Sequence, residues 1–171
     1  MGWLFSTRWP TRKDLVTHLT SGNGMTTVKK AFSGNHLWCV HEHEGDQFIC
    51  LYLMSKGPKE HGGPNWGYKD VDESMGPAYY TCPVSFLDEA QPEPTTGYAV
   101  EWRAEVRRRA AFLKSLTKGV TLRWREDSYV ESDIYSFQLL QRRSPSCFVA
   151  RGDNGNIYRL GKRVLNQMEV M

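Results

Sequence analysis

No run of about eighteen apolar residues occurs anywhere in this 171-residue chain, so nothing in it reads as a membrane-spanning helix. The opening Met1-Gly2-Trp3-Leu4-Phe5-Ser6-Thr7-Arg8 has too short an apolar core for a secretory signal. The expectation is a cytoplasmic protein that does not engage a membrane. Cysteine is sparse: Cys39, Cys50, Cys82 and Cys147 form no CxxC pair and are widely spread, which excludes a dense disulfide framework and reads as reduced thiols. Internal repeats and low-complexity tracts are missing as well, which argues against solenoids and extended disorder. No signature of a known catalytic chemistry is found, and no cofactor is called for. What is present is 40% hydrophobic and 12% aromatic residues, enough for one real core and a small second one.

The formal net charge of +3 conceals a partition. Residues 1–30 carry five Lys/Arg against one acid, residues 31–100 three against ten, and residues 101–171 fourteen against eight. An acidic middle between basic ends fits an anion-binding face or complementarity between parts of the chain, and both readings stay open.

Thr11 followed by Asp14 resembles a capping box, and Leu15, Val16 and Leu19 supply an apolar face, so a helix is predicted near 11–20. Thr26–Phe32, Leu37–His43 and Gln47–Met54 read as three strands of an antiparallel meander, divided by Ser33-Gly34-Asn35 and Glu44-Gly45-Asp46. Pro83 can open a short helix through Asp88, with a loop at 91–97. From Tyr98 to Lys118, Trp102, Val106, Ala110, Leu113 and Leu116 recur at helical spacing, and Gly119 ends the pattern. The period then switches to two for about four short strands, with Asp153-Asn154-Gly155 as a tight turn. The fold class expected is α+β: an N-terminal helix with a meander over 1–97, a connecting amphipathic helix over 98–118, and a small β-sheet or SH3-like barrel over 119–171.

Residues 65–83 stand apart, because they crowd aromatic residues and carboxylates into a stretch that fits neither helical nor strand periodicity. Trp66, Tyr68, Asp70, Asp72, Glu73, Tyr79 and Tyr80 form a candidate partner-binding patch if exposed and a packed corner if buried. Asp70, Asp72 and Glu73 are also hard-ion ligands in type, although the spacing matches no calcium loop. Cys82, at the start of a helix, is a candidate nucleophile with His61 as a distant base, or else an inert core thiol. Cys39, His41 and His43 share one strand face, Cys50 lies opposite across a hairpin, and all are zinc ligands in type.

Arg103, Arg107, Lys114 and Lys118 follow one another at spacings of four, seven and four, which stacks them on one side of a helix as phosphate contact requires. The alternative is an ordinary solvated face. Arg123 and Arg125 extend this nucleic-acid-binding set onto a strand. Arg142, Arg143, Arg151, Arg159, Lys162 and Arg163 make a further basic group at predicted strand ends.

The run Gly67-Tyr68-Lys69-Asp70-Val71-Asp72-Glu73-Ser74-Met75-Gly76-Pro77, with Tyr79-Tyr80-Thr81-Cys82-Pro83 and Phe86-Leu87-Asp88, resembles an uncharacterised family encoded by bacteriophages, plasmids and other bacterial mobile elements. Met1-Gly2-Trp3-Leu4-Phe5 and Thr11-Arg12-Lys13-Asp14-Leu15 are similar to the start of the same proteins, so the resemblance spans residues 1–103. It carries no activity with it. What it implies is an accessory protein that binds a host macromolecule without catalysis, as an inhibitor of a restriction or CRISPR defence complex. The alternative is a nucleic-acid-binding protein, and a third class is a metal-dependent or cysteine enzyme.

Overall fold

A computed structural model describes residues 2–57, 65–75 and 82–171. The fold is α+β with two antiparallel sheets, and the chain divides into two compact units, Met1–Val106 and Arg107–Met171.

In the first unit a five-stranded sheet has the order β1-β5-β4-β3-β2. Its strands are β1 (Leu4–Phe5), β2 (Thr26–Ser33), β3 (His36–His43), β4 (Asp46–Lys56) and β5 (Trp66–Asp72). The β3–β4 connection is a two-residue turn in which Glu44 and Gly45 both take positive φ, at 52° and 87°, as a tight hairpin following the sheet's twist requires. Helix α1 (Arg12–Ser21) is capped reciprocally. The Thr11 hydroxyl accepts from the Asp14 amide at 3.2 Å, and the Asp14 carboxylate accepts from the Thr11 amide at 3.0 Å.

Leu15 and Leu19 of α1 pack with Trp9, Leu37, Cys39, Cys50, Tyr52 and Met54 in one core cluster. The alternate residues of the same strands, Trp38, Val40, Ile49 and Leu51, pack with Phe86 and Leu87 of α2 (Ser85–Glu89) and with Trp102 and Val106 of α3 (Tyr98–Ser115). Both faces of the central strands are therefore covered, which is why Leu37–His41 is buried without a break rather than in alternation.

Two expectations need correction. Residues 66–72 are a strand, paired with β4 from Lys56↔Trp66 to Cys50↔Asp72 and with β1 at Leu4↔Tyr68 and Phe5↔Gly67. Each face of β5 mixes polar and apolar residues, Trp66, Tyr68, Asp70 and Asp72 on one and Gly67, Lys69 and Val71 on the other. No hydropathy alternation announces it. The stripe of α3 is also not one seam: Trp102 and Val106 belong to the core of the first unit, whereas Phe112, Leu113 and Leu116 pack in that of the second.

The second unit holds a five-stranded sheet of order β10-β6-β7-β8-β9, formed by β6 (Thr121–Trp124), β7 (Ser136–Ser144), β8 (Cys147–Gly152), β9 (Ile157–Gly161) and β10 (Met168–Val170). One turn of helix, α4 (Lys162–Leu165), lies between β9 and β10. Leu122, Phe137, Leu139, Phe148, Ala150, Leu160, Leu165 and Met168 form its core with Leu116. The fifth strand, β10, is too short to carry a readable period.

Candidate nucleic-acid interface

The central motif turns inward at Glu73. The β4–β5 ladder stops at Asp72, so the amide of Ile49 has no strand carbonyl opposite, and Glu73 Oε1 accepts from it at 3.2 Å. The same carboxylate receives Arg103 from α3 in a two-point pair, Nε to Oε2 at 2.6 Å and NH2 to Oε1 at 2.8 Å. Arg103 NH1 donates to the Ala90 carbonyl at 2.6 Å and lies 3.6 Å from Glu93. Glu73 is 4% exposed and Arg103 1%. Burial pushes the guanidinium pKa down, but the hydrogen bonds and charge of Glu73 more than offset this, leaving it above the usual arginine value.

These positions withdraw both residues from the surfaces expected of them. Arg103 does not stand on a solvated basic face, and Glu73 is not available to an external partner. Asp72 Oδ1 accepts from the Ser74 amide at 2.8 Å and from the Ser74 hydroxyl, closing the short 3-10 turn Glu73–Met75. Trp66 and Tyr68 are half-buried against the α1 side of the core, with Tyr68 edge-on to Tyr52 and tilted against Trp9. Asp70 is half-buried on the same strand face as Asp72, whereas Glu73 faces Arg103, so the three acids do not converge. Tyr79, Tyr80 and His61 lie outside the described residues.

Of the other reactive side chains, Cys39, His41, Cys50 and Cys82 are held in the core. Cys39 and Cys50 are register partners, and burial pushes the Cys39 thiol up to about 12 and the Cys50 thiol higher still. His41, fully buried, uses both ring nitrogens. Thr27 gives its hydroxyl proton to the Thr20 carbonyl at 2.9 Å, so its oxygen accepts from His41 Nδ1 at 3.2 Å, and His41 Nε2 accepts from the Tyr52 hydroxyl at 2.9 Å. His43 is exposed beyond them. Among the described residues no cluster of three or more His, Cys, Asp or Glu side chains is placed to hold a metal ion. Cys82 is buried in the α2 side of the core, where its thiol donates to the Pro83 carbonyl at 3.5 Å.

The basic residues divide by what already engages them. Arg107 and Lys114 are exposed on α3, but that helix ends at Ser115, so Lys118 lies in the turn beyond it and off the helix face. The chain leaves the helix there because the sheet captures it, with the Gly119 amide donating to the Leu139 carbonyl at 2.7 Å. Arg123 is paired with Glu169 (2.8 Å and 2.7 Å), and Arg125 makes a two-point pair with Asp127 (2.9 Å and 2.8 Å). Arg142 is exposed, but its guanidinium turns back onto the protein. It donates to the Leu113, Leu116 and Pro145 carbonyls and stacks 4.6 Å over Phe148, closing the carbonyl end of α3.

A different group remains on the outward face of the second sheet. Strand pairing sets Arg159 opposite Val149 and Arg151 opposite Ile157, with Gln141 across from Val149 and Gln138 across from Arg151. Arg143, Val149 and Arg159 line an open cavity of about 350 Å³. Arg143, Arg151 and Arg159 are exposed, and among the described residues no ion pair engages them. Arg159 Nε donates to Cys147 Sγ at 3.2 Å, which fixes its guanidinium along the sheet. The signal for this group is present in the alternation of Cys147, Val149 and Arg151. Which arginines stay clear of an acid is not, because that depends on where distant residues such as Glu169 arrive.

No protein-family model matches the chain, and no similar curated protein or solved structure was found.

Proposed function

We propose that this protein is a non-enzymatic accessory protein of a bacteriophage or other mobile element and that it acts by binding nucleic acid. The observation that carries this reading is the charge of the second unit: within residues 107–171 thirteen Lys/Arg face six Asp/Glu, a formal +7. Its acids are partly committed inside the unit, Asp127 to Arg125, Glu169 to Arg123, and Asp153 to the Tyr135 and Ser136 amides. The excess positive charge is therefore presented outward, where it favours polyanions.

The strand order, with four sequential antiparallel strands, a helical turn and a last strand returning to pair with the first, supports reading this unit as an SH3-like barrel. On this reading the protein works in the cytoplasm of a bacterial host. No helix among the described residues is long and apolar enough to cross a membrane.

Fluorescence anisotropy with labelled DNA and RNA across a salt series tests the proposal. Binding whose log K falls linearly with log salt is expected. Failure to bind any nucleic acid at low salt would overturn it.

A second reading, inhibition of a host restriction or CRISPR complex, is favoured by the opposite charge of the first unit. There nine Lys/Arg face thirteen Asp/Glu, and Glu42, Glu44 and Asp46 are exposed at the β3–β4 hairpin. An acidic surface can occupy the nucleic-acid channel of a basic host protein. Retention from a bacterial lysate that survives nuclease treatment would support it, and retention lost on nuclease would return the case to nucleic acid.

A further inference from the structure

Resting on the nucleic-acid reading, we infer that the ligand is single-stranded and that it binds the outward face of the second sheet, around Val149, rather than α3. Two observations separate this face from the helix. The first is charge commitment within the set expected to meet phosphate: Arg103 is buried on Glu73, Arg123 and Arg125 are paired with carboxylates, and Arg107 and Lys114 are the members left exposed on α3, with Lys118 beyond its end. Arg143, Arg151 and Arg159 are exposed, and no described acid pairs with them.

Shape is the second. Arg143 and Arg159 flank a recess of about 350 Å³ whose floor is the half-buried Val149. Arg151 stands two residues along β8, beside the 57% exposed Ile157. A duplex laid on this face would meet the guanidinium groups with its backbone, but its bases are stacked inside and would leave the recess empty. A single strand can turn a base into it, apolar floor beneath and guanidinium planes alongside, while its phosphates reach Arg143 and Arg151. Gln138 and Gln141, outward on β7, can hydrogen-bond base edges without demanding one base.

Among the described residues no aromatic side chain lines the recess, so affinity rests on phosphate contact and guanidinium stacking and falls steeply with salt. Arg159 is held by Cys147 and acts as a wall of the recess. Among the described residues no side-chain hydrogen bond or ion pair engages Arg143 or Arg151, so removing them is expected to leave the sheet intact.

The test uses the full chain, a short labelled oligothymidylate strand, and a duplex of equal length. R143A/R151A is expected to weaken single-strand binding about tenfold at low salt and to flatten the slope of log K against log salt by about 1.4, at about 0.7 per phosphate on single strands. K114A/K118A is expected to change it less than twofold. V149W, which fills the recess, is expected to weaken single-strand binding and leave weak duplex binding unchanged. Thermal unfolding of each variant checks that the fold persists. Loss of binding in K114A/K118A but not in R143A/R151A would overturn the site while leaving the nucleic-acid reading intact. Duplex binding equal to single-strand binding and indifferent to V149W would overturn the single-strand assignment. Absence of binding by the wild-type chain to either probe would overturn the nucleic-acid reading itself.

Discussion

Glu73 and Arg103 show how a single residue can look functional and be structural. In the sequence the glutamate sits in a run of acids and the arginine on a basic helical spacing, and each type normally faces water. Their pairing follows from the end of the β4–β5 ladder, which leaves the Ile49 amide needing an acceptor, and a buried carboxylate then needs a cation. Removing one partner strands the other, so Glu73→Gln should lower the urea-unfolding free energy by about 3–5 kcal/mol. Glu73→Leu combined with Arg103→Met should recover much of that loss, because two apolar residues leave no unpaired charge.

His41 gives a pH dependence. Burial lowers its pKa below the usual 6.5, so the folded chain prefers the neutral ring and the unfolded chain binds the proton more readily. The stabilisation is fully present above the unfolded pKa and is lost as pH falls below about 6.5 towards the folded value. Unfolding midpoints measured from pH 7.5 to about 5.5 should decline, and His41→Asn should flatten that decline.

At the scale of elements, α1 and the meander β2 to β4 are legible because their signals are local. Thr11 and Asp14 form the cap that their spacing implies, and Thr11→Ala should cost about 1 kcal/mol in thermal or chemical unfolding. β5 is hidden because its neighbours decide its burial: Tyr68 is covered by Trp9 and Tyr52, and Gly67 lies under β1. A Cβ at Gly67 would collide with the Leu4 carbonyl and the Phe5 ring. Gly67→Ala should therefore displace the two-residue strand β1 at a cost of about 1–3 kcal/mol. Hydrogen exchange should show the Leu4 and Phe5 amides losing protection before those of β3. The end of α3 is equally non-local, because Arg142, distant in sequence, takes its last carbonyls.

For the whole molecule, the charge partition is readable from residue order, and the division at Val106 and Arg107 sharpens it into a first unit of formal −4 and a second of +7. Period, capping pairs, turn residues and charge totals depend on neighbours a few positions away, so helices, hairpins and the basic character of the second unit follow from the chain alone. Whether a charge is exposed depends on which partner the fold brings to it. That is how Arg103 came to be buried, how Arg123 and Arg125 came to be paired, and how Arg143, Arg151 and Arg159 were left facing outward around Val149. Arg125 meets Asp127 two residues away, but the Glu73–Arg103 pair, the register that sets Glu169 beside Arg123 and the register around Val149 come from long-range packing that no local spacing records.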